Sequence, residues 1–243
     1  MTDIAHHHKT RLRDYFDGIG FERWSAIYGS ERLSMVRRSI RDGHTAMMAL
    51  ADAWLVEQLQ SGALPEGAHI LDAGCGTGLF SLALARRGFC VTAVDIAPQM
   101  VGLAMRQARR AGLHKRIAFI ANDLEAIDGQ YDAVVCLDVL IHYPREAFEQ
   151  LAQHLAARSR GPLLLTYAPY EPLLSALHWL GGRFPKGQRR TDIQMLPYQL
   201  VRDTLQACDM PVQRRTRISR GFYHVNLVEA GRESGRQDDK MIR

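Results

Sequence analysis

The sequence predicts an α/β fold: a seven-stranded mixed sheet of five parallel strands plus an antiparallel C-terminal hairpin, preceded by an N-terminal helical lid. Three observations predict it. Over 68–168, short apolar runs alternate with longer amphipathic ones, the pattern of βαβ units wound around a parallel sheet. Gly88 and Gly112 fall just past the first two amphipathic stretches, and Pro98 and Pro144 open the later two, so helix stops and starts agree with the period. Ahead of this zone about sixty residues show helical rather than alternating spacing.

Element by element, the predicted organisation is a helical arm or lid over 1–62, a core over 63–230 and a polar, flexible tail over 231–243. The arm contains a long helix over 35–60. Its three consecutive histidines, His6, His7 and His8, read as a solvated end, because neighbours in sequence do not converge on one ion without outside help. Strands are expected at 69–72, 90–95, 117–121, 133–138 and 163–167, with helices at 80–87, 98–111 and 144–158. An insertion over about 168–196 carries a helix at 173–180 and a basic loop over 183–191. A helix at 197–208 then leads to strands at 212–218 and 223–229, joined by a turn at Arg220 and Gly221.

Composition narrows the function classes. With 47% apolar and 23% charged residues in a chain of 243, extended disorder is excluded except at the ends. No window approaches eighteen uninterrupted apolar residues, and the first thirty carry charges in place of a signal core. The chain therefore reads as cytoplasmic, neither exported nor membrane-spanning. Four scattered cysteines without a C-x-x-C pair read as reduced, buried thiols rather than a disulfide frame or zinc site. The net charge of +5, from 31 basic and 26 acidic residues, suits anionic ligands or lipid headgroups. It is spread along the chain instead of forming a stripe, so it does not argue for nucleic acid.

The most informative segment is Leu71-Asp72-Ala73-Gly74-Cys75-Gly76-Thr77-Gly78, a buried strand running into a three-glycine loop and a helix. Glycines let a ligand approach the main chain and let the turn visit positive φ. A dinucleotide site wants its third small residue at 79, which is Leu79. Asp72, two residues before the first glycine, meets a cation more naturally than a pyrophosphate. Asp95 ends the second strand, where an acid accepts from both ribose hydroxyls. Asn122-Asp123-Leu124 offers a carboxylate for an adenine amino group and a backbone N–H for the ring. Each acid alone is equally a helix cap or turn residue.

This constellation resembles the class I S-adenosylmethionine-dependent methyltransferases over 68–168. The resemblance implies a Rossmann-like sheet and S-adenosylmethionine as cofactor, released as S-adenosylhomocysteine, but leaves the acceptor open. On the same ground Ile96, Met100 and Leu137 join Asp72, Gly74, Cys75, Gly76, Gly78, Asp95, Asn122, Asp123 and Leu124 as cofactor-binding candidates.

The arm is more specific. The stretch over 15–29, rich in aromatics, Ile40-Arg41-Asp42-Gly43-His44, the loop over 72–78 and the ending Gly221-Phe222-Tyr223 resemble the magnesium-protoporphyrin IX O-methyltransferase family, and the similarity spans about 8–229. Spacing alone favours Phe16, Phe21, Trp24 and Tyr28 as staples of helices to sheet; the resemblance assigns them to a lid over a flat ligand. It implies methyl transfer to one propionate carboxylate of magnesium protoporphyrin IX, giving the monomethyl ester in chlorophyll and bacteriochlorophyll synthesis.

By that resemblance His142 and Tyr28 are the catalytic candidates. From the residues alone, His142 caps the chain before Pro144 and Tyr28 packs. Trp24, Tyr167, Arg183 and Arg189 are substrate-binding candidates, the arginines for the second propionate. His44 and His178 are weighed as axial ligands of the substrate's magnesium, against that ion's preference for oxygen. The porphyrin brings its own metal, so no protein metal site is expected. The family implies a partner, the large porphyrin-binding subunit of magnesium chelatase, and at most peripheral attachment to photosynthetic membranes. Two other readings stay open: a methyltransferase of another small molecule, such as a quinone precursor or a different carboxylic acid, and a non-catalytic subunit that keeps the fold for binding.

Overall fold

Parallel strands need crossover connections, and the chain supplies one between each successive pair of its first five strands. A computed structural model describes residues 3–27, 33–170 and 193–232. Its core runs β1 (His69–Ala73), α4 (Leu79–Arg86), β2 (Cys90–Asp95), α5 (Pro98–Arg110), β3 (Ile117–Ala121), β4 (Ala133–Cys136), α6 (Arg145–Ala156) and β5 (Leu163–Pro169). Ahead of it lie α1 (Asp3–Phe16), α2 (Ile19–Ile27) and α3 (Met35–Gln60). After it come β6 (Met195–Leu196), α7 (Tyr198–Gln206), β7 (Val212–Arg220) and β8 (Tyr223–Ala230).

The strand order is β3-β2-β1-β4-β5-β8-β7, with β6 paired to β5. β1 to β5 are mutually parallel, and β8 runs antiparallel between β5 and β7. The order reverses between β1 and β4, the place where open α/β sheets bind ligands at their carboxyl ends. Side chains alternate across the sheet. Ile70 faces a core cluster built with α3 and α4, whereas Leu71 and Ala73 face one built with α1, α6 and α7.

The described sheet has eight strands, one more than expected. β6 is two residues long and pairs in parallel with Ala168 and Pro169 at the end of β5; so short a strand carries no alternation to read. The helix at 173–180 and the loop over 183–191 lie outside the described residues. β4 stops at Cys136 rather than at 138, because Asp138 turns left-handed (φ 57°) and a 3-10 turn, Leu140–His142, follows. Cys90, expected to be buried, is exposed at the start of β2, whereas Cys75 and Cys136 are buried. His8 is no solvated end: it lies in α1, and its Nε2 is 2.9 Å from the His142 carbonyl oxygen.

The register of α3 matters most for the site. It starts on Ser34, whose hydroxyl accepts from Arg37 N, and it buries Met47, Ala51, Trp54 and Leu55, one stripe at helical spacing. The Arg214 guanidinium lies 4.3 Å from the Trp54 ring centroid and donates to Glu229 at 2.7 Å, while Gln58 Nε2 donates to the other Glu229 oxygen at 2.5 Å. Nearer its start, α3 meets β8 at Gly43, where an added Cβ would fall 2.3 Å from Tyr223 Cδ1. Glycine permits that approach and sets the next residue, His44, beside the strand ends. Among the described residues no helix is long and apolar enough to cross a membrane, and no group of three or more His, Cys, Asp or Glu is placed to hold a metal.

Candidate active site

At the carboxyl ends of β1, β2 and β4, a cavity of about 1030 Å³ opens to solvent. Its floor is the glycine loop. Gly74 N and Cys75 N donate to the Val94 carbonyl at 2.8 and 2.9 Å, which folds the loop back over β2. Gly74 has φ 83°, and a Cβ there would sit 2.0 Å from Val139 Cγ2. Backbone conformation and the neighbouring strand end therefore both require glycine.

Two acids flank the loop, Asp72 buried and Asp95 half-buried. Asp95 accepts from Gly76 N at 2.8 Å and from Ala97 N at 2.9 Å. Burial raises its pKa, and these backbone donors pull it back. Asp72 is 2% exposed and accepts from Ser81 Oγ at 2.5 Å. Desolvation pushes its carboxyl up to about 6, partly opposed by the Ser81 hydroxyl. A buried carboxylate beside a neutral donor is stabilised by an incoming cation. At Gly76 an added Cβ would meet nothing within 4 Å, so the loop leaves room for a ligand. S-adenosylmethionine fits this donor set: its ammonium suits Asp72, and its ribose hydroxyls can donate to the remaining lone pairs of Asp95.

Asp123 is partly committed elsewhere. It caps the 3-10 turn Leu124–Ala126 by accepting from Glu125 N at 3.1 Å and pairs with Lys9 of α1 at 2.9 Å; Lys9 also pairs with Glu125. A second tie joins the chain after α1 to α5, where Asp17 accepts from Gln99 N at 2.7 Å. Thus α1 is fastened over the cavity, which Leu12 and Phe16 line.

His142 and Asp138 also line the cavity. His142 is 9% exposed, its ring edge-on to Phe16 at 5.3 Å between centroids. Burial, reinforced by His8, pushes its pKa down to about 4, so the imidazole is neutral at pH 7. Its Nδ1 has no hydrogen-bond partner among the described residues. Next to it, Asp138 N donates to Thr166 Oγ1 at 2.7 Å, and Tyr223 Oη donates to Asp138 Oδ2, also at 2.7 Å.

The cavity brings together Trp24, Asp72, Gly74, Cys75, Gly76 and Asp95 with Ile96, Met100, Asp123, Leu124, Leu137 and His142. Three expected residues are not among its lining. Gly78 packs against Ala104. Asn122 is exposed and uses its side-chain oxygen to accept from Asp123 N. Tyr167 is fully buried and accepts from Asn226 at 2.7 Å; the alternation of β5 turns Thr166, not Tyr167, toward Asp138. Tyr28, Arg183, Arg189 and His178 lie outside the described residues. Phe16, read as a lid residue, and His44, weighed as an axial ligand, also line the cavity; sequence reasoning missed Asp138, whose place at a strand's carboxyl end was the available signal.

Comparison with known proteins agrees with this geometry. Residues 70–160 match a methyltransferase domain, and residues 136–232 match the C-terminal region of magnesium-protoporphyrin IX methyltransferase. The chain is 37% identical to the magnesium-protoporphyrin O-methyltransferase of Synechocystis, over 96% of this chain and all of that one. It is 35% identical to the chloroplastic magnesium protoporphyrin IX methyltransferase of Arabidopsis thaliana, over 91% of this chain and 70% of that one. The crystal structure of the Synechocystis enzyme with bound S-adenosylhomocysteine superposes with a TM-score of 0.83 at 35% identity, covering 93% of this chain and all of that one. With such identity sustained over nearly the full length of both chains, this chain belongs to the magnesium-protoporphyrin IX methyltransferase family.

Proposed function

We propose that this chain methylates one propionate carboxylate of magnesium protoporphyrin IX with S-adenosylmethionine as donor, yielding the monomethyl ester and S-adenosylhomocysteine. The observation that carries the reading is one continuous cavity with two chemistries. It joins a glycine loop flanked by two carboxylates, Asp72 and Asp95, to a desolvated neutral histidine packed against Phe16 of α1. S-adenosylmethionine, when bound, supplies an electrophilic methyl group on a cationic sulfur.

The residues then divide the work. Asp72 and Asp95 hold the cationic and ribose ends of the donor, and Gly76 lets it lie against the main chain. A propionate is ionised at neutral pH, its pKa being about 4–5 like that of a Glu side chain, so it needs placement more than a strong base. His142 offers it a hydrogen bond from a ring that burial keeps uncharged. Leu12, Phe16 and Trp24 exclude water from the reacting oxygen, which raises its nucleophilicity. By family resemblance Tyr28 shares the catalytic role; Arg183 and Arg189 are the candidates for the second propionate, which a guanidinium can hold through two hydrogen bonds. The test is direct: purified protein with magnesium protoporphyrin IX and S-adenosylmethionine forms a pigment heavier by one CH2, and absence of that product overturns the reading.

The family resemblance also supports the large porphyrin-binding subunit of magnesium chelatase as partner, and a cytoplasmic protein that touches pigment membranes peripherally. The start of α3 supports the membrane contact. Met35 is 80% exposed and Phe222 66%, Phe222 N donates to Ser39 Oγ at 3.1 Å, and Arg37, Arg38 and Arg220 are exposed around them. Apolar side chains ringed by arginine suit an anionic lipid surface. Each arginine contributes about 1 kcal/mol there, so Arg37→Glu with Arg38→Glu is expected to weaken flotation with phosphatidylglycerol vesicles at least about tenfold. Equal flotation of both proteins would remove this surface from consideration.

A further inference from the structure

His44 and Asp138 form a pair in the cavity that the reaction described above leaves unused. Both line it. His44 Nε2 lies 3.9 Å from Asp138 Oδ2, with the two side chains 15% and 8% exposed. Asp138 is held from three directions. Tyr223 Oη donates to Oδ2 at 2.7 Å, Thr166 Oγ1 donates to Oδ1 at 3.3 Å, and its own N–H donates to Thr166 Oγ1 at 2.7 Å. Its left-handed backbone (φ 57°) is a conformation that aspartate tolerates but most side chains resist; residues held this way cluster at functional sites. The Trp24 ring covers His44 at 5.2 Å between centroids, and Gly43 seats α3 on Tyr223. Four elements thus converge to hold one imidazole against one carboxylate.

We propose that His44, backed by Asp138, is the counter-charge for the reacting carboxylate of the acceptor: the imidazole carries a proton while the propionate is bound. The proposal rests on the functional reading above and deepens it. A carboxylate that leaves water for a largely apolar cavity needs a partner of opposite charge. His142 has no carboxylate beside it, whereas His44 does. In the ligand-free protein burial lowers the His44 pKa and Asp138 raises it. Arrival of a second carboxylate adds another raising influence, so a proton enters from solvent with the acceptor. The ester that forms is neutral, so the proton returns to solvent when product leaves. Asp138 acts through His44 and is a positioning residue: burial raises its pKa, and His44 with the Tyr223 and Thr166 hydroxyls opposes that rise.

The test compares two probes, magnesium protoporphyrin IX and its dimethyl ester, by fluorescence titration of S-adenosylhomocysteine-loaded protein. The ratio of dissociation constants, ester over diacid, measures what the free carboxylates contribute. His44→Gln is expected to lower that ratio at least about fivefold while the melting temperature and S-adenosylhomocysteine affinity stay as in the wild type. A residue that only supports the fold would weaken both probes alike. Tyr223→Phe, which keeps the ring against Gly43 and deletes only the hydroxyl on Asp138, is expected to lower the ratio in the same direction and decides the matter should His44→Gln fail to fold. An unchanged ratio in a folded variant overturns the assignment. If the wild type neither binds nor methylates the diacid, the functional reading fails instead; an active wild type with an unchanged variant ratio sinks the His44 assignment alone.

Discussion

Replacing His142 by alanine is expected to lower kcat at least about a hundredfold, the usual contribution of a positioned acid–base side chain, while leaving the S-adenosylmethionine dissociation constant within about twofold. The two effects separate because of where the ring sits. His142 lines the cavity against Phe16, no hydrogen bond ties it to Asp72 or Asp95 among the described residues, and its Nδ1 lacks a partner there. Its burial leaves it uncharged at neutral pH, so removing it does not unbalance the charge around Asp72 and Asp95. Its loss instead leaves the acceptor oxygen without an oriented hydrogen bond. Single-turnover kinetics with saturating donor checks this. A variant that keeps more than about a tenth of the wild-type rate, where a positioned acid–base group supplies a hundredfold or more, would mean that His142 only packs against Phe16.

Gly74→Ala is the second large expected effect, and it acts on the donor side. The new methyl group would meet Val139 Cγ2 at 2.0 Å on a backbone already at φ 83°. The left-handed conformation alone costs an alanine about 1–2 kcal/mol, and relieving the clash moves either the loop or the strand end that leads to His142. Melting temperature should fall by several degrees, on the scale of about 4–8 °C per kcal/mol for small domains and less for larger ones. Donor affinity should fall at least about tenfold, because a shifted loop moves Gly76 and its bond to the Asp95 carboxylate out of place for the ligand. Gly112→Ala is the control: its φ is 72°, but nothing lies within 4 Å of the added Cβ, so it carries the backbone cost without the clash. Equal losses in the two variants would refute the steric role of Val139.

Much of the fold was legible because its signals are local. The apolar runs that became β2 and β3 end where expected, and α3 spans the predicted 35–60, since periodicity over many residues averages out exceptions. β6 was invisible because two residues have no period. The early end of β4 was invisible for another reason: Asp138 leaves the strand to reach Thr166 and Tyr223, partners 28 and 85 residues away. Tyr167 falls outside the cavity lining, its neighbour Thr166 being the one that bonds Asp138 there.

By itself the sequence determined the α/β class, the glycine loop, the two acids that flank it and the family, because each is written in contiguous residues whose types and spacing have direct physical consequences. Only the tertiary structure decided which side chains share the cavity. Leu12 and Phe16 come to it from α1, His44 comes from α3, and Tyr223 reaches Asp138 from β8. The physical reason is that a lone histidine or aspartate has the same appearance in sequence whether it faces water or another charge. Its neighbours within 4 Å, and the water they exclude, set its chemistry.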